Sequence, residues 1–380
     1  MTLTNSYSAE IFGLILCSFL FLLFSNFRKL FFFPKFETTP QAIEKRSSII
    51  DFIRGISIIG IVIIHLDSYF RYYHPNDSFS NITFFLSNAS RFSVPAFIIS
   101  SAFFLNYKSP KEYWLSKWNN LIMPYLIIGT IAYILKYPLE SIYTIFDYIY
   151  KIFSGTIMAP FYFVPLMVQC YLIYALFVRR FEKTKSIYIV LWISFVLNIF
   201  SNLDWFQSTN LYINGLIPAF FGNFVFFFLV GFSAKNIFKD SGNFKNTILT
   251  GKIFLFSLVI SLLFYLIFVG YLSMKKLPEL SNHFIFYPLA MFILLFSIGI
   301  KLEESVSNIL QKIYSIFSFI GKMSLSIFLI HPILIHLSFG RDPYSFGGKV
   351  SGFFFFLLLN IIIPIFLWIS FQKLRKIFFN

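Results

Sequence analysis

Long apolar runs alternate with short polar segments from one end of the chain to the other. Each run is close to the roughly 20 residues that an α-helix needs to cross the hydrocarbon core of a bilayer. The pattern and its turn signals predict helices at 10–27, 48–70, 87–106, 119–137, 160–179, 187–203, 215–234, 250–272, 283–301, 317–338 and 352–374. The predicted fold class is therefore all-α, a polytopic membrane helix bundle of about eleven transmembrane helices.

Two segments differ from these spans. The stretch 139–153 is too short and too polar to span comfortably, and we predict an interfacial helix on the outer face. The first apolar run lacks a basic n-region, and its positive flank, Arg28 and Lys29, follows the apolar stretch. These features are typical of a retained anchor and not of a cleaved signal peptide. No polar block is long enough to fold separately, so the pattern indicates one membrane domain.

Composition and charge agree with a membrane protein. The 380 residues are 58% hydrophobic and only 12% charged, whereas soluble domains are about a quarter charged. Most of the 31 Lys and Arg residues fall in alternate loops, which the positive-inside rule places in the cytoplasm, with the N-terminus outside and the C-terminus cytoplasmic. These clusters, and the net charge of +15, suit anionic lipid headgroups, so membrane lipids are expected partners and nucleic acid is not. Cys17 and Cys170 lie within apolar runs, which predicts core packing and neither a disulfide nor a metal site.

The stretch 46–65, RSSIIDFIRGISIIGIVIIH, keeps three ionisable residues inside a predicted span. Insertion penalises a central Asp or Arg by roughly 2.5–3.5 kcal/mol. His65 follows Arg54 by eleven residues, which places both side chains on one helix face, roughly 16 Å apart along the axis, with Arg54 nearer the cytoplasm. Asp51 precedes Arg54 by three residues and is a natural charge partner for it. This helix is therefore predicted to carry a polar stripe through the membrane.

Two further helices bring ionisable residues to the depth of His65. Arg91 is predicted to lie about one turn inside the outer end of helix 87–106, and His331 about two turns from the outer end of helix 317–338. Three ionisable groups at one depth predict a buried polar site, because lipid does not solvate them.

Each of these residues also has a structural interpretation. Asp51 and Arg54 are equally consistent with a buried ion pair, and His65 with a satisfied core histidine. Arg91 lies near enough to the predicted interface to snorkel. His331 precedes a proline, which frees a backbone carbonyl one turn earlier and offers a structural contact. The alignment of His65 with Arg54 on one stripe favours a functional role for that histidine.

The stretch quoted above resembles the first core helix of the membrane acyltransferase 3 family. The family pattern is Arg, then Asp, then Arg-Gly, then His. In this chain those positions are Arg46, Asp51, Arg54, Gly55 and His65. Because all of these positions match within one helix, the motif is specific.

Four other stretches are similar to the same family. RFSVPAFIISSAFF resembles the second core helix of the subgroup of sugar O-acetylases of the fucose 4-O-acetylase kind. GKMSLSIFLIHP, from Gly321 to Pro332, resembles the penultimate helix. APFYFVPLMVQCYLIYALF is similar to the family's aromatic helix start, and KWNNLIMPY to its basic segment before a proline.

The chain departs from the family pattern at three points. Ala102 follows Ser101 where the family usually has Ser-Gly. Asn120 stands where a second arginine is usual, with Lys117 upstream. Tyr162 takes the place of the usual tryptophan in the aromatic segment. These changes bear on donor and substrate binding more than on the fold.

The resemblance covers about residues 46–375 and implies a ten-helix core. We therefore divide the chain into an extra N-terminal transmembrane helix with its linker, 1–45, and an acyltransferase 3 membrane domain, 46–380. Family members move an acyl group, often acetyl, to a hydroxyl of a cell-surface or lipid-linked glycan. The resemblance thus implies an enzyme of the bacterial cytoplasmic membrane that uses acyl-CoA as a co-substrate, with no bound cofactor or metal. Since the chain ends soon after its last predicted span, we expect no appended esterase-like domain.

The resemblance and the side-chain chemistry together suggest individual roles. His65 is the predicted catalytic residue, as a general base or as an acyl acceptor. Donor binding is predicted for Arg54, Asp51 and Lys117. Acceptor binding or oxyanion stabilisation is predicted for Arg91, His331 and Tyr162. The family's structural motif is predicted to include Arg46, Gly55, Ser101, Gly321 and Pro332.

The competing function is that of a polysaccharide exporter, because polar residues inside a bundle also line transport pathways. The hydropathy pattern has no obvious internal repeat and no matching pair of broken helices, which disfavours this alternative. A structural or sensor role is a third interpretation. The sequence leaves the sugar, the acyl group and the oligomeric state open.

Overall fold

The computed structural model describes residues 40–105, 109–137, 145–178, 187–201, 220–237, 285–345 and 347–379, together with residues 259 and 263. Helix is the regular secondary structure throughout these ranges. The predicted helix 10–27 lies outside the described residues, as does helix 250–272 apart from the two single residues.

The α-helices of the described ranges are numbered in chain order. They are α1 (Pro40–Tyr73), α2 (Phe79–Ala89), α3 (Ser93–Phe103), α4 (Pro110–Lys117), α5 (Met123–Lys136), α6 (Ile145–Ser154), α7 (Phe163–Leu176), α8 (Ile187–Ser201), α9 (Val225–Ile237), α10 (Phe286–Glu303), α11 (Asn308–Lys322), α12 (Ser324–Leu337) and α13 (Lys349–Phe379). Short 3₁₀ turns, Ser90–Phe92 and Ala159–Tyr162, join α2 to α3 and lead into α7. A π-helical turn, Trp118–Ile122, joins α4 to α5.

Five segments of the described chain are long and apolar enough to cross a membrane. They are Ser48–Tyr73, Phe79–Phe103, Pro110–Lys136, Ala159–Leu176 and Lys349–Lys373. The helices α11 and α12 together form a sixth candidate, bent by 71°. The predicted class, an all-helical protein with several membrane spans, is therefore confirmed, whereas the number of eleven spans stays a prediction.

Helix α1 occupies the centre of the described bundle. It packs against α2, α3, α10, α11, α12 and α13. Ile50, Ile53 and Val62 are fully buried, although they project in different directions around the helix. Burial on several sides explains why the run is almost continuously apolar, because a helix that is surrounded by others has no wet face to keep polar. The ionisable residues of α1 are consequently held inside protein.

The closest approach of α1 to another helix is made with α11. A Cβ atom added at Gly55 would overlap the carbonyl oxygen of Phe317, and one added at Gly321 would overlap the carbonyl oxygen of Asp51. Small residues at such a crossing let two backbones touch. This contact fixes the end of α11, and therefore the start of α12, beside the polar stripe of α1.

Three predicted spans differ from the structure. The predicted helix 119–137 is the later part of a span that begins at Pro110, because α4 continues through the π-helical turn into α5. The second span begins at Phe79 and not at residue 87, because the polar residues that follow Phe79 are buried against α1 instead of being left in water. The predicted single helix 317–338 is two helices, α11 and α12, which bend at Met323. The bend has a packing cause: α11 follows α1 as far as Gly321, after which α12 turns across the site.

Candidate active site

Two imidazole rings from different helices meet in the predicted outer half of the bundle. The ring centroids of His65 in α1 and His331 in α12 lie 5.6 Å apart, with the ring planes tilted by 40°. His331 is fully buried, whereas His65 keeps partial exposure. The ring of His331 is thus enclosed by protein, whereas residue 65 retains some exposed surface.

Arg91 and Tyr162 lie beside this histidine pair, each in a 3₁₀ turn. Arg91 interacts electrostatically with both His65 and Tyr162. The predicted position of Arg91, one turn from the outer end of its helix, is wrong, because the span runs from Phe79 to Phe103 and Arg91 is close to its middle. An arginine at mid-span has no short path to the interface, so its charge stays at the site.

A second polar set lies toward the predicted cytoplasmic side. Arg54 Nη2 donates a hydrogen bond of 2.9 Å to Ser324 Oγ, at the first residue of α12. The Asp51 carboxylate lies 3.9 Å from Arg54 Nη1, which is an ion pair without a hydrogen bond. The guanidinium carbon also lies 5.1 Å from the centre of the Phe97 ring. Arg54 is therefore oriented by three elements and keeps donors for a further anion.

Lys117 joins this inner set through an aromatic ring. Its Nζ lies 4.4 Å from the centre of the Tyr171 ring, in α7, and Tyr171 also interacts electrostatically with Arg54. The π-helical turn that begins at the next residue has a local cause, since Pro124 lacks the N–H that a regular turn requires. Two cationic side chains therefore lie near one tyrosine.

The other predicted motif residues have structural positions. Gly55 and Gly321 form the close contact between α1 and α11 described above. The hydroxyl of Ser101 donates a hydrogen bond of 2.8 Å to the carbonyl of Phe97 within α3. Arg46 lies in the N-terminal part of α1. Pro332 follows His331 within α12.

Sequence reasoning missed a buried ion pair near the site. Asp67 lies two residues after His65 and is fully buried. Arg71 contacts both carboxylate oxygens, with Nε at 3.2 and 3.1 Å and Nη2 at 3.0 Å. The hydroxyls of Thr83 and Ser87, on α2, face the same carboxylate. The available signal was the i,i+4 spacing of an acid and an arginine inside an apolar run.

The segment between α12 and α13 covers the C-terminal end of α1, which is the predicted outer end. The hydroxyl of Tyr344 donates a hydrogen bond of 2.9 Å to the carbonyl of Leu66, next to His65. A hydrogen bond of 2.9 Å between His74 and Asp342 and an ion pair between Lys349 and Asp77 hold the same end of the molecule. The hydrogen bond from Lys349 holds the pKa of Asp77 below its usual range.

The arrangement brings two imidazoles and an arginine together inside a helical bundle. An imidazole beside an arginine is suited to proton transfer with stabilisation of a developing negative charge. Within the described ranges, no group of three or more His, Cys, Asp or Glu side chains is placed to hold a metal ion. The fold and the site together define a helical membrane protein equipped for acid–base chemistry.

The comparison with family models identifies the chain further. The Acyl_transf_3 model, described as an acyltransferase domain, matches residues 48–369. Because the match covers most of the chain, the protein belongs to the acyltransferase 3 family and is a membrane acyltransferase. No curated protein and no solved structure matches the chain in the corresponding comparisons.

Proposed function

We propose that the protein transfers an acyl group, most simply acetyl, from acyl-CoA to a hydroxyl of a cell-surface or lipid-linked glycan in a bacterial cytoplasmic membrane. The observation that carries this proposal is the pairing of His65 with Arg91, at one end of a polar stripe whose other end is Arg54. The acyltransferase family supplies the reaction type. The similarity to sugar O-acetylases of the fucose 4-O-acetylase kind supports a saccharide acceptor.

In the proposed reaction, the neutral imidazole of His65 removes the proton of an attacking sugar hydroxyl. The hydroxyl oxygen bonds to the thioester carbonyl carbon, and the carbon–sulfur bond breaks. The proton passes from the imidazolium to the departing thiolate, which gives an ester and free CoA. Arg91 and Tyr162 lie where they would stabilise the negative charge on the carbonyl oxygen. Attack by His65 itself, through an acyl-imidazole, would use the same side chain.

The inner polar set is the proposed site for the donor. The phosphates of CoA are anionic, and Arg54 and Lys117 present two cations near Tyr171. Arg54 is held by Ser324 and Asp51, so the donor meets an oriented guanidinium. The axial distance of roughly 16 Å from Arg54 to His65 is of the order of the extended pantetheine arm, which would bring the thioester to the histidine.

The acceptor is proposed to approach from the outer face, where α6 lies against α5. The helix exposes an apolar side that includes Phe146 and Phe153, whereas Tyr148 and Asp147 hydrogen-bond to α5. An amphipathic helix of this kind is suited to the lipid headgroup boundary. This arrangement supports the predicted interfacial position of the segment.

The central test replaces His65 and compares it with a matched histidine. We expect His65→Ala to abolish transfer of labelled acetyl from acetyl-CoA to glycan in purified membranes, because the base is lost. His336→Ala is the control, since His336 lies near the end of the same helix as His331 and has no proposed role. Persistence of transfer in the His65 variant would refute the proposal. An exporter would be favoured if cells that lack the protein lose surface glycan while the number of ester groups per remaining glycan is unchanged.

The donor end is tested by Arg54→Lys. In this variant a lysine ammonium replaces the planar guanidinium group, which contacts Ser324 and has further donors for the phosphates. We therefore expect a higher KM for acyl-CoA and an unchanged KM for glycan. Arg91→Lys should give the opposite pattern. Both variants must elute as the parent does in detergent size exclusion. If the two variants have indistinguishable kinetics, Asp51 and Arg54 form a structural ion pair and do not bind the donor.

A further inference from the structure

We infer that His331 is a positioning residue that fixes the tautomer and the orientation of His65 by accepting a hydrogen bond from it. This inference rests on the proposed role of His65 as the base. It differs from the acceptor-binding or oxyanion role that the sequence suggests for His331. The difference follows from the hydrogen bond that the ring of His331 makes to its own helix.

The first step concerns the proton on His331. Its Nδ1 lies 2.7 Å from the carbonyl oxygen of Ile327, four residues earlier. A carbonyl oxygen only accepts, so Nδ1 must carry the proton. In the neutral ring, Nε2 therefore presents a lone pair and cannot donate a hydrogen bond to an oxyanion.

The second step concerns the surroundings of this lone pair. His331 is fully buried, and its Nε2 has no hydrogen-bond partner among the described residues. The neighbouring rings are those of Phe328, at 6.4 Å between centroids, and His65, at 5.6 Å. Of these two, only His65 has a polar hydrogen to offer. Rotation about χ2 of a histidine is soft, so a modest turn of the His65 ring brings the two nitrogens into hydrogen-bonding range.

The third step concerns the effect on His65. A proton on the nitrogen that faces His331 leaves the lone pair on the other nitrogen, which then points away from His331. That lone pair is the one that the attacking hydroxyl requires. When His65 takes the hydroxyl proton, both of its nitrogens carry protons, and the hydrogen bond to His331 becomes charge-assisted. Thus the hydrogen bond from His65 to His331 and the one from His331 to Ile327 are donated in the same direction.

Two substitutions separate this role from a structural one. His331→Gln places an amide oxygen near the position of Nε2, so it keeps an acceptor for His65 but loses the donor to Ile327. His331→Asn places an amide nitrogen near the position of Nδ1, so it keeps the donor to Ile327 but loses the acceptor. If His331 orients His65, kcat falls by roughly 10²–10⁴-fold in the Asn variant. The Gln variant should retain at least tenfold more activity than the Asn variant, with KM for acyl-CoA unchanged in both.

The measurement is single-turnover and steady-state transfer of acetyl by purified protein in vesicles. If the Asn variant is more active than the Gln variant, the important contact of His331 is its hydrogen bond to Ile327 in α12. That result would overturn the inference. Equal and complete loss in two correctly folded variants would also overturn it, because His331 would then exchange a proton itself. A parent protein that shows no transfer, or a fully active His65→Ala variant, would instead refute the proposed function.

Discussion

Asp67 shows how a single buried carboxylate is tolerated in this membrane domain. It is fully buried, whereas the side chain of its partner Arg71 keeps about a third of its surface exposed. The arginine therefore carries charge from the interior toward the interface, and its guanidinium also lies 4.8 Å from the ring centre of Phe84. Thr83 and Ser87 of α2 face the same carboxylate, so the pair helps to position α2 on α1. Arg91 follows α2 in the chain.

We predict that the two halves of this pair are not equivalent. Arg71→Ala leaves a carboxylate buried without a cation and should destabilise the fold by about 3 kcal/mol. Asp67→Asn leaves a neutral amide with nearby hydroxyls and a partly wetted arginine, so its loss should be less than half as large. Unfolding of the purified protein by SDS in mixed micelles measures both. If both variants lose the same free energy of unfolding, the burial of an unpaired Asp67 carboxylate is not the main reason for the destabilisation.

At the scale of the elements, the crossing of α1 and α11 determines where the site is assembled. The glycines of this crossing bring Ser324 to Arg54 and direct α12 so that His331 reaches His65. Hence the donor end and the histidine pair depend on one helix contact, although they are far apart along α1.

We predict that Gly321→Ala and Gly55→Ala both lower thermal stability and acyl transfer, because each added methyl group overlaps a backbone carbonyl that cannot move aside. Gly129→Ala is the matched control in a helix. Its added methyl would lie 3.1 Å from the end of the Ile152 side chain and at ordinary contact distance from Tyr125 and Ile157, while alanine improves helix propensity by about 1 kcal/mol. Scanning fluorimetry in detergent measures the melting temperatures. A similar fall for Gly129→Ala would contradict the packing argument.

The elements differ in how far the sequence determines them. The shared face of Arg54 and His65 follows from the period of one helix, so it was predictable from spacing. The bend at Met323 was not, because it depends on contact between α11 and α1 and not on a local breaker at that residue. The start of the second span at Phe79 was not predicted, because polar residues such as Thr83 resemble a loop in the sequence. Their burial beside Asp67 depends on the packing of α2 against α1.

At the scale of the whole molecule, the structure defines two ends of the bundle, so the protein has two possible orientations in the membrane. The segments before α2 and before α13 lie at one end, where Asp77 pairs with Lys349. The segment between α10 and α11 lies at the other end, where Tyr314 hydrogen-bonds to Ser48 at 2.8 Å. The distribution of Lys and Arg along the sequence predicts that this second end is cytoplasmic.

We predict that cysteines at Ser78 and Ser345 react with an impermeant thiol reagent in intact cells, whereas a cysteine at Ser307 reacts only after permeabilisation. All three serines lie outside the spans and are exposed. The parent protein, labelled in parallel, measures the background from Cys17 and from the buried Cys170. Labelling of the Ser307 variant in intact cells would invert the orientation and exchange the donor and acceptor ends.

The separation of partners along the chain has a consequence for biogenesis. Arg54 and its hydrogen-bond acceptor Ser324 are 270 residues apart in sequence. At about 5–20 residues per second, the ribosome needs roughly 15 to 50 s to make the second after the first. During that interval the first core helix must wait in or beside the translocon with its arginine paired only to Asp51. A chain truncated before α11 should therefore resemble an orphan subunit and be a substrate for membrane quality-control proteases.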